Sequence, residues 1–267
     1  MLTLSGSVPQ DLAADLMMTI GQQESTSIPS SVFLSLSNDE NGMVLTGMAL
    51  GDSPSVLDDT QTALTTFLDE NLPKDVADGF TFTRTSWYDS AIEELELEGF
   101  LVQNWSAFLM RNNNTRTNWN DLVDAFASMM DKGDGYVLLD VELWGGEISK
   151  VDSDFTAFPW RDGIFQVDVL VLVPATTKHA MKVFTQQVEM VDKIWRKHVE
   201  PIVKGTYANY PTKSYEEDPY EYAQRAWGRN LGRLQSIKET YDPDGIFHSA
   251  LSIPAKPKKK HHGHDSE

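Results

Sequence analysis

The sequence contains no cysteine. Disulfides, zinc–thiolate sites and cysteine nucleophiles are thereby excluded. No apolar run approaches the roughly 18 residues needed to span a bilayer. The opening Met1-Leu-Thr-Leu-Ser-Gly6 lacks a basic stretch and runs into Asp11 and Asp15, unlike a secretory signal. Basic residues are scarce: 22 Lys and Arg stand against 40 Asp and Glu, a formal net charge of −18. That sign argues against nucleic acid and anionic membranes as partners and fits a solvated acidic surface. No glycine-rich loop follows a predicted strand, so no phosphate-cradling turn is recognised. Of the six histidines, His179 and His198 fall on a predicted helix, His248 follows an Asp-Pro turn, and three lie in the tail around His261-His-Gly-His264. No metal site is expected from them, because a polar tail beside lysines offers no fixed ligand geometry.

What is present fits a globular chain. With 267 residues, 40% hydrophobic, there is material for one large domain or two small ones. Leu12, Leu16, Met17 and Ile20 recur at helical spacing over 8–22. Residues 32–36 and 43–48 read as strands joined by the Asn38–Gly42 turn, a hairpin. A helix is predicted over 54–70 behind Ser53-Pro54, a strand over 79–87, and helical structure near 88–98. The Asn-rich 105–117 reads as loop, and 119–131 as helix. Two long strands follow, 135–144 and 164–173, then a long helix over 175–200 and a last one over 217–240, stopped by Asp242-Pro-Asp-Gly245. Mixed elements with short turns predict an α+β fold, a mostly antiparallel sheet with helices on one face. The predicted division is an α+β domain over 1–204, a closing segment over 205–254 and a low-complexity tail over 255–267.

Strand 135–144 carries the first chemistry. Side chains alternate faces, so Val137, Leu139, Val141 and Leu143 share one side and Tyr136, Leu138, Asp140, Glu142 and Trp144 the other. Asp140 and Glu142 then stand about 6–7 Å apart on one face. Mutual repulsion and partial burial would raise one of their pKa values, as a general base requires. The alternative is the ordinary polar, solvent-facing side of a sheet.

Several motifs bear on that choice. Trp144-Gly-Gly-Glu leads through Thr156-Ala-Phe-Pro-Trp-Arg161 into the next strand. Further on come Gly205-Thr-Tyr-Ala-Asn-Tyr-Pro211, Asn230-Leu-Gly-Arg-Leu234, Tyr241-Asp-Pro-Asp-Gly245 and Leu251-Ser-Ile-Pro254. Together they resemble the C-terminal half of the berberine bridge enzyme-like family of FAD-linked oxidases. A weaker echo lies at Thr85-Ser-Trp-Tyr88. Trp160 stands where that family usually has His, a departure from its pattern.

The resemblance implies an FAD-dependent oxidoreductase that oxidises an alcohol, sugar or related small-molecule donor by hydride transfer to flavin. It implies that Asp140 and Glu142 bind or polarise the donor and that Tyr207 acts as base or orienter. Asn209 and Tyr210 would lie at the flavin edge. A tyrosine ordinarily ionises near pH 10, about 3 units above neutrality, so a base role needs help from neighbours. The alternative for both tyrosines is amphipathic packing. The family's FAD-binding domain has no recognisable counterpart in this sequence, so FAD is expected to be held mainly by a domain in cis or trans. With no cysteine, no thioether bond to a flavin forms. Helix 217–240, with Tyr222, Ala226, Trp227, Leu231, Leu234 and Ile237 on one side, is expected to turn an apolar face toward that domain. The rival reading is a catalytically inactive remnant or binding module. Compartment stays undetermined, although intact family members are often secreted.

Overall fold

The computed structural model describes residues 1–22, 28–29, 31–39, 42–86, 99–130, 136–210, 212, 218–249 and 251–256. Its centre is a seven-stranded sheet, ordered β4-β1-β3-β2-β6-β7-β5, in which each paired strand runs antiparallel to its neighbour. The strands are β1 (Leu2–Val8), β2 (Val32–Asp39), β3 (Gly42–Ala49), β4 (Thr81–Arg84), β5 (Phe100–Met110), β6 (Tyr136–Leu143) and β7 (Gly163–Pro174). The principal helices are α1 (Gln10–Ile20), α2 (Pro54–Asn71), the single turn α3 (Lys74–Ala77), α4 (Arg116–Met130), α5 (Ala180–Ile194), α6 (Pro219–Trp227) and α7 (Leu231–Tyr241). This is the α+β fold expected from the mixed pattern.

One face of the sheet is apolar across its centre. Leu4, Leu34, Leu36, Leu45, Val141, Val167 and Val169 are buried there in a single cluster with Leu16 and Met17 of α1, Phe67 of α2, Trp119 and Phe126 of α4 and Val191 of α5. The period-two alternation of the strands and the stripes of the helices meet in that layer. Trp119 stacks edge-on to Phe165 of β7 at 5.0 Å, while its indole nitrogen donates to Asn114 at 2.7 Å. Across the layer, Trp105 of β5 donates to Asp192 of α5 at 3.1 Å.

Several expectations need correction. Residues 105–110 are strand, not loop, and α4 begins at Arg116. Trp105, Ala107 and Leu109 alternate into the core, and β5 pairs with β7 along its whole length. That partner is some sixty residues away, beyond any local pattern, so the nearby asparagines dominated the reading. The predicted 175–200 helix starts only at Ala180, after His179 in a left-handed conformation, and closes in a π-turn over Trp195–Val199. The strand at 79–87 shrinks to Thr81–Arg84. Helix 217–240 is two helices, broken at Gly228, whose φ of +46° no helix interior accepts. The expected structure at 88–98, Trp87 and Tyr88 of the Thr85–Tyr88 element, Glu40 and Asn41 of the hairpin turn, and the tail beyond Lys256 lie outside the described residues.

The apolar face of that last region is also more covered than expected. Tyr222, Ala226 and Leu231 are buried, and Tyr222 and Ala226 form a small cluster against Ala208, Trp227 and Leu251. Only its far end, at Ile237, is exposed.

Trp160 explains how the C-terminal region is seated. Its indole lies against Gly205 and Gly228, and its nitrogen donates to Ala226 O at 3.2 Å. A Cβ on Gly205 would fall 2.3 Å from Trp160 Cε2, and Gly205 holds φ +68°. Replacing Gly205 by Ala therefore combines left-handed backbone cost with overpacking, and is expected to lower stability by about 2–4 kcal/mol. Urea unfolding of Gly205→Ala against wild type measures the shift; an unchanged midpoint would contradict this seating.

Candidate active site

The opposite face of the sheet is polar where it matters. Asp140 and Glu142 of β6 lie opposite Asp168 and Gln166 of β7, and Ser35 of β2 faces Glu142 from the other side. Ser106 of β5 is the register partner of Asp168. Directly opposed residues share a face, so the ladder alone gathers three carboxyl groups, an amide and two hydroxyls. Sequence reading missed Asp168, Gln166, Ser35 and Ser106. Gln166 and Asp168 carry the same signature as the residues it found: two polar positions, i and i+2, in an otherwise apolar strand.

This face is not the solvated side of a sheet. Gln166 is 0% exposed, Asp168 3% and Ser35 4%, and Asp140 and Glu142 are half-buried. Asp168 accepts a bond from the Gln166 amide, and Asp140 one from the Ser35 hydroxyl. Trp144 Nε1 lies 3.3 Å from Glu142 Oε2. Burial raises the pKa of Asp140, with the Ser35 bond opposing it. Burial and then the charge of Asp140 raise Glu142. Asp168 is pushed up to about 8, chiefly by burial, with Glu142 and Asp140 adding to the push and the Gln166 bond opposing it. No cation among the described residues enters these balances.

The C-terminal segment crosses this face at β5, where Phe108 and Lys204 exchange backbone bonds of 2.9 and 2.8 Å. The buried Ser106 then ties it down. Its Oγ donates to Tyr210 O at 2.7 Å, accepts from Tyr207 N at 3.0 Å and meets the Thr206 hydroxyl at 3.0 Å. Thr212 completes the knot, accepting from Ser106 N at 2.8 Å and donating to Ser106 O at 3.0 Å. Tyr207 and Tyr210 are thus set beside the carboxyls. Tyr207 packs on Trp144 at 5.3 Å and on Tyr210 at 5.2 Å, and Phe108 and Phe158 back the cluster.

The structure brings together all five residues singled out from the sequence. The backbone from Tyr207 is a turn, closed by Tyr210 N on Tyr207 O at 2.9 Å. Tyr207 and Asn209 still meet, because Asn209 Nδ2 donates to Tyr207 Oη at 3.0 Å. Tyr210 has its pKa raised by burial first and then by the charges of Glu142, Asp168, Tyr207 and Asp140, which places its ring within their field. After β6, Trp144 N donates to Ile164 O at 2.7 Å, and the chain turns off at Gly146 with φ +56°.

Chemically, the site offers hydrogen-bond acceptors in excess beside an aromatic wall. Asp168 Oδ1 and Gln166 Oε1 are buried without a partner among the described residues. Those two atoms call for a buried donor, while the half-buried carboxyls of Asp140 and Glu142 suit a ligand that donates hydrogen bonds. Ser106→Ala would orphan Tyr207 N and lose the bond to Tyr210 O, at a cost of about 1–3 kcal/mol. Hydrogen exchange should show amides of 206–212 losing protection in that variant while the β6–β7 ladder keeps its own; equal protection in both proteins would refute the knot.

Residues 206–254 match the family model "Berberine and berberine like". The uncharacterized FAD-linked oxidoreductase YvdP of Bacillus subtilis is 35% identical over 111 residues, covering 42% of this chain and 23% of that protein. Berberine bridge enzyme-like 21 of Arabidopsis thaliana is 28% identical over 121 residues, covering 42% and 22%. A solved chitooligosaccharide oxidase superposes with a TM-score of 0.74 at 18% identity, covering 96% of this chain and 55% of that one. The chain thus spans about half of the solved structure it resembles and under a quarter of the curated relatives. By its matching segment over 206–254 and its fold, the chain resembles the berberine bridge enzyme-like FAD-linked oxidases.

Proposed function

We propose that this chain supplies the substrate-binding half of an FAD-dependent oxidoreductase that takes hydride from an alcohol, sugar or related hydroxyl-bearing donor. One observation carries the reading. Trp144 packs on Tyr207 at 5.3 Å while its indole nitrogen reaches Glu142 at 3.3 Å, so the two motifs of the sequence form one aromatic and acidic surface.

The residues of this surface fit the ring end of a flavin. Trp144, Tyr207 and Tyr210 present aromatic edges, and Asn209 sits at the same rim. The pyrophosphate end is different. It calls for cations or a helix N-terminus, whereas this face is acidic. Holding that end falls to another unit, in the same polypeptide or a separate one. The flavin, when bound, supplies the hydride acceptor.

This chain's own groups orient the donor and move its proton. Tyr207 Oη accepts from Asn209, which leaves its hydroxyl hydrogen free to bond a donor oxygen. Glu142 and Asp140 accept from donor hydroxyls and so push electron density toward the carbon that loses hydride, and the Glu142 carboxylate takes the hydroxyl proton as the hydride leaves. The aromatic wall excludes water from that carbon. A relative from Gibberella zeae, 28% identical over 125 residues, is named chitooligosaccharide oxidase, which supports a hydroxyl-rich donor, and the half-buried carboxyls of Asp140 and Glu142 supply acceptors for one.

The test assembles this chain with the flavin-binding half of a solved relative and follows flavin absorbance without oxygen. Added sugar or alcohol should bleach it. Glu142→Gln and Tyr207→Phe should each slow bleaching by about 100-fold or more. Flavin that stays oxidised with every donor in a stable assembly would replace this reading with that of an inactive binding module.

A further inference from the structure

Asp140 and Asp168 are directly opposite one another on neighbouring strands. Opposed side chains on one face have Cβ atoms roughly 4.5–5.5 Å apart, and like charges there destabilise the pair. Two carboxyls so placed do not both ionise cheaply. Their surroundings are unequal. Asp168 is 3% exposed, flanked by the buried Ser106 on β5, and its Oδ2 accepts from Gln166. Its Oδ1 has no partner among the described residues. Asp140 is half-buried and held by the Ser35 hydroxyl.

An unpartnered buried carboxylate oxygen is costly, and a proton removes the cost in two ways. It neutralises the group, and it turns an orphan acceptor into a donor. The acceptor on the facing strand is Asp140. The other groups in the field of Asp168 are Glu142 on β6 and Tyr210 in the C-terminal segment. Its neighbours on β5 at Asn104, Ser106 and Phe108 do not titrate. None of these, among the described residues, offers a positive charge in place of the proton.

We propose that Asp168 is a positioning residue that keeps a proton at neutral pH and pins the carboxylate of Asp140 from across the β6–β7 pair. Asp140 is then fixed on two sides, by Ser35 and by Asp168. Glu142, with only the long Trp144 contact among the described residues, is the less constrained carboxylate of the two on β6. The role in catalysis rests on the proposed function; the proton does not.

The sign of the pH effect follows from the raised value. An unfolded aspartate ionises near about 3.9, and folded Asp168 near about 8. Between those values the folded state holds a proton that the unfolded state has lost. Rising pH therefore erodes the stability of the wild type across that window, and the loss levels off above it. Asp168→Asn keeps the shape of the neutral acid and cannot ionise. Its melting temperature relative to wild type is expected to climb from pH 4 to about pH 8 and then stay level. Parallel curves for the two proteins would overturn the proposal.

Infrared spectroscopy of the wild-type chain supplies a readout independent of folding in the variant. A protonated-carboxyl C=O band should be present at neutral pH and disappear with a midpoint near pH 8. In Asp140→Asn that midpoint should move to lower pH, because one repelling charge is gone. A missing band, or a midpoint unmoved by Asp140→Asn, would refute the pairing even if Asp168→Asn fails to fold. Neither measurement uses flavin or turnover, so their failure leaves the redox reading standing, and an inert flavin assembly leaves the proton pair standing.

Discussion

The register of β6 against β7 is the constraint from which the site follows. Eight consecutive residue pairs, from Tyr136 with Leu172 to Leu143 with Phe165, decide which side chains face the helices and which face the C-terminal segment. A slip of one residue would put Asp140 and Glu142 into the leucine and valine layer and turn Val141 and Leu139 out. The apolar layer therefore enforces the polar one. Burial of Val137, Leu139 and Val141 on one side fixes the carboxyls on the other. Asn38 of β2 adds to this, its amide donating to Val137 O at 3.0 Å and its carbonyl oxygen accepting from Leu139 N at 2.5 Å.

The second dependence is on Ser106. A single buried hydroxyl, with the Thr206 and Thr212 hydroxyls around it, satisfies backbone groups of a segment that has no regular structure of its own there. Loops laid over a sheet normally leave buried polar groups to be paired, and here β5 supplies the partners. Trp160 closes the other side by filling the space that Gly205 and Gly228 leave open. The aromatic cluster of Trp144, Phe158, Tyr207 and Tyr210 is thus fixed from beneath by the strand and from beside by the loop before β7. Rigid support of this kind is what a site needs to hold a donor at reacting distance.

Local pattern accounts for much of what was legible. Alternation in 135–144 placed Asp140 and Glu142 on one face, helical spacing located α1, and the Ser53-Pro54 start located α2. It failed where a distant partner decides conformation. Residues 105–110 are strand because β7 lies beside them, although their neighbourhood is rich in asparagine. Asp168 escaped notice for a related reason: a lone polar pair in an apolar strand acquires meaning only when the facing strand contributes its own. The helix break at Gly228 was hidden because one glycine in a helical pattern costs only about 1 kcal/mol, whereas the tryptophan that exploits it is far away in sequence.

By itself the sequence determined the fold class, the exclusion of thiol chemistry and the residues that carry the family's pattern. Those properties reside in composition, period and short motifs, which are local. Tertiary structure alone decided that three carboxyls form one group, that two of them oppose each other, and that a serine of β5 holds the tyrosines beside them. Each depends on the distance between residues 26 to 104 positions apart, and strand pairing sets that distance.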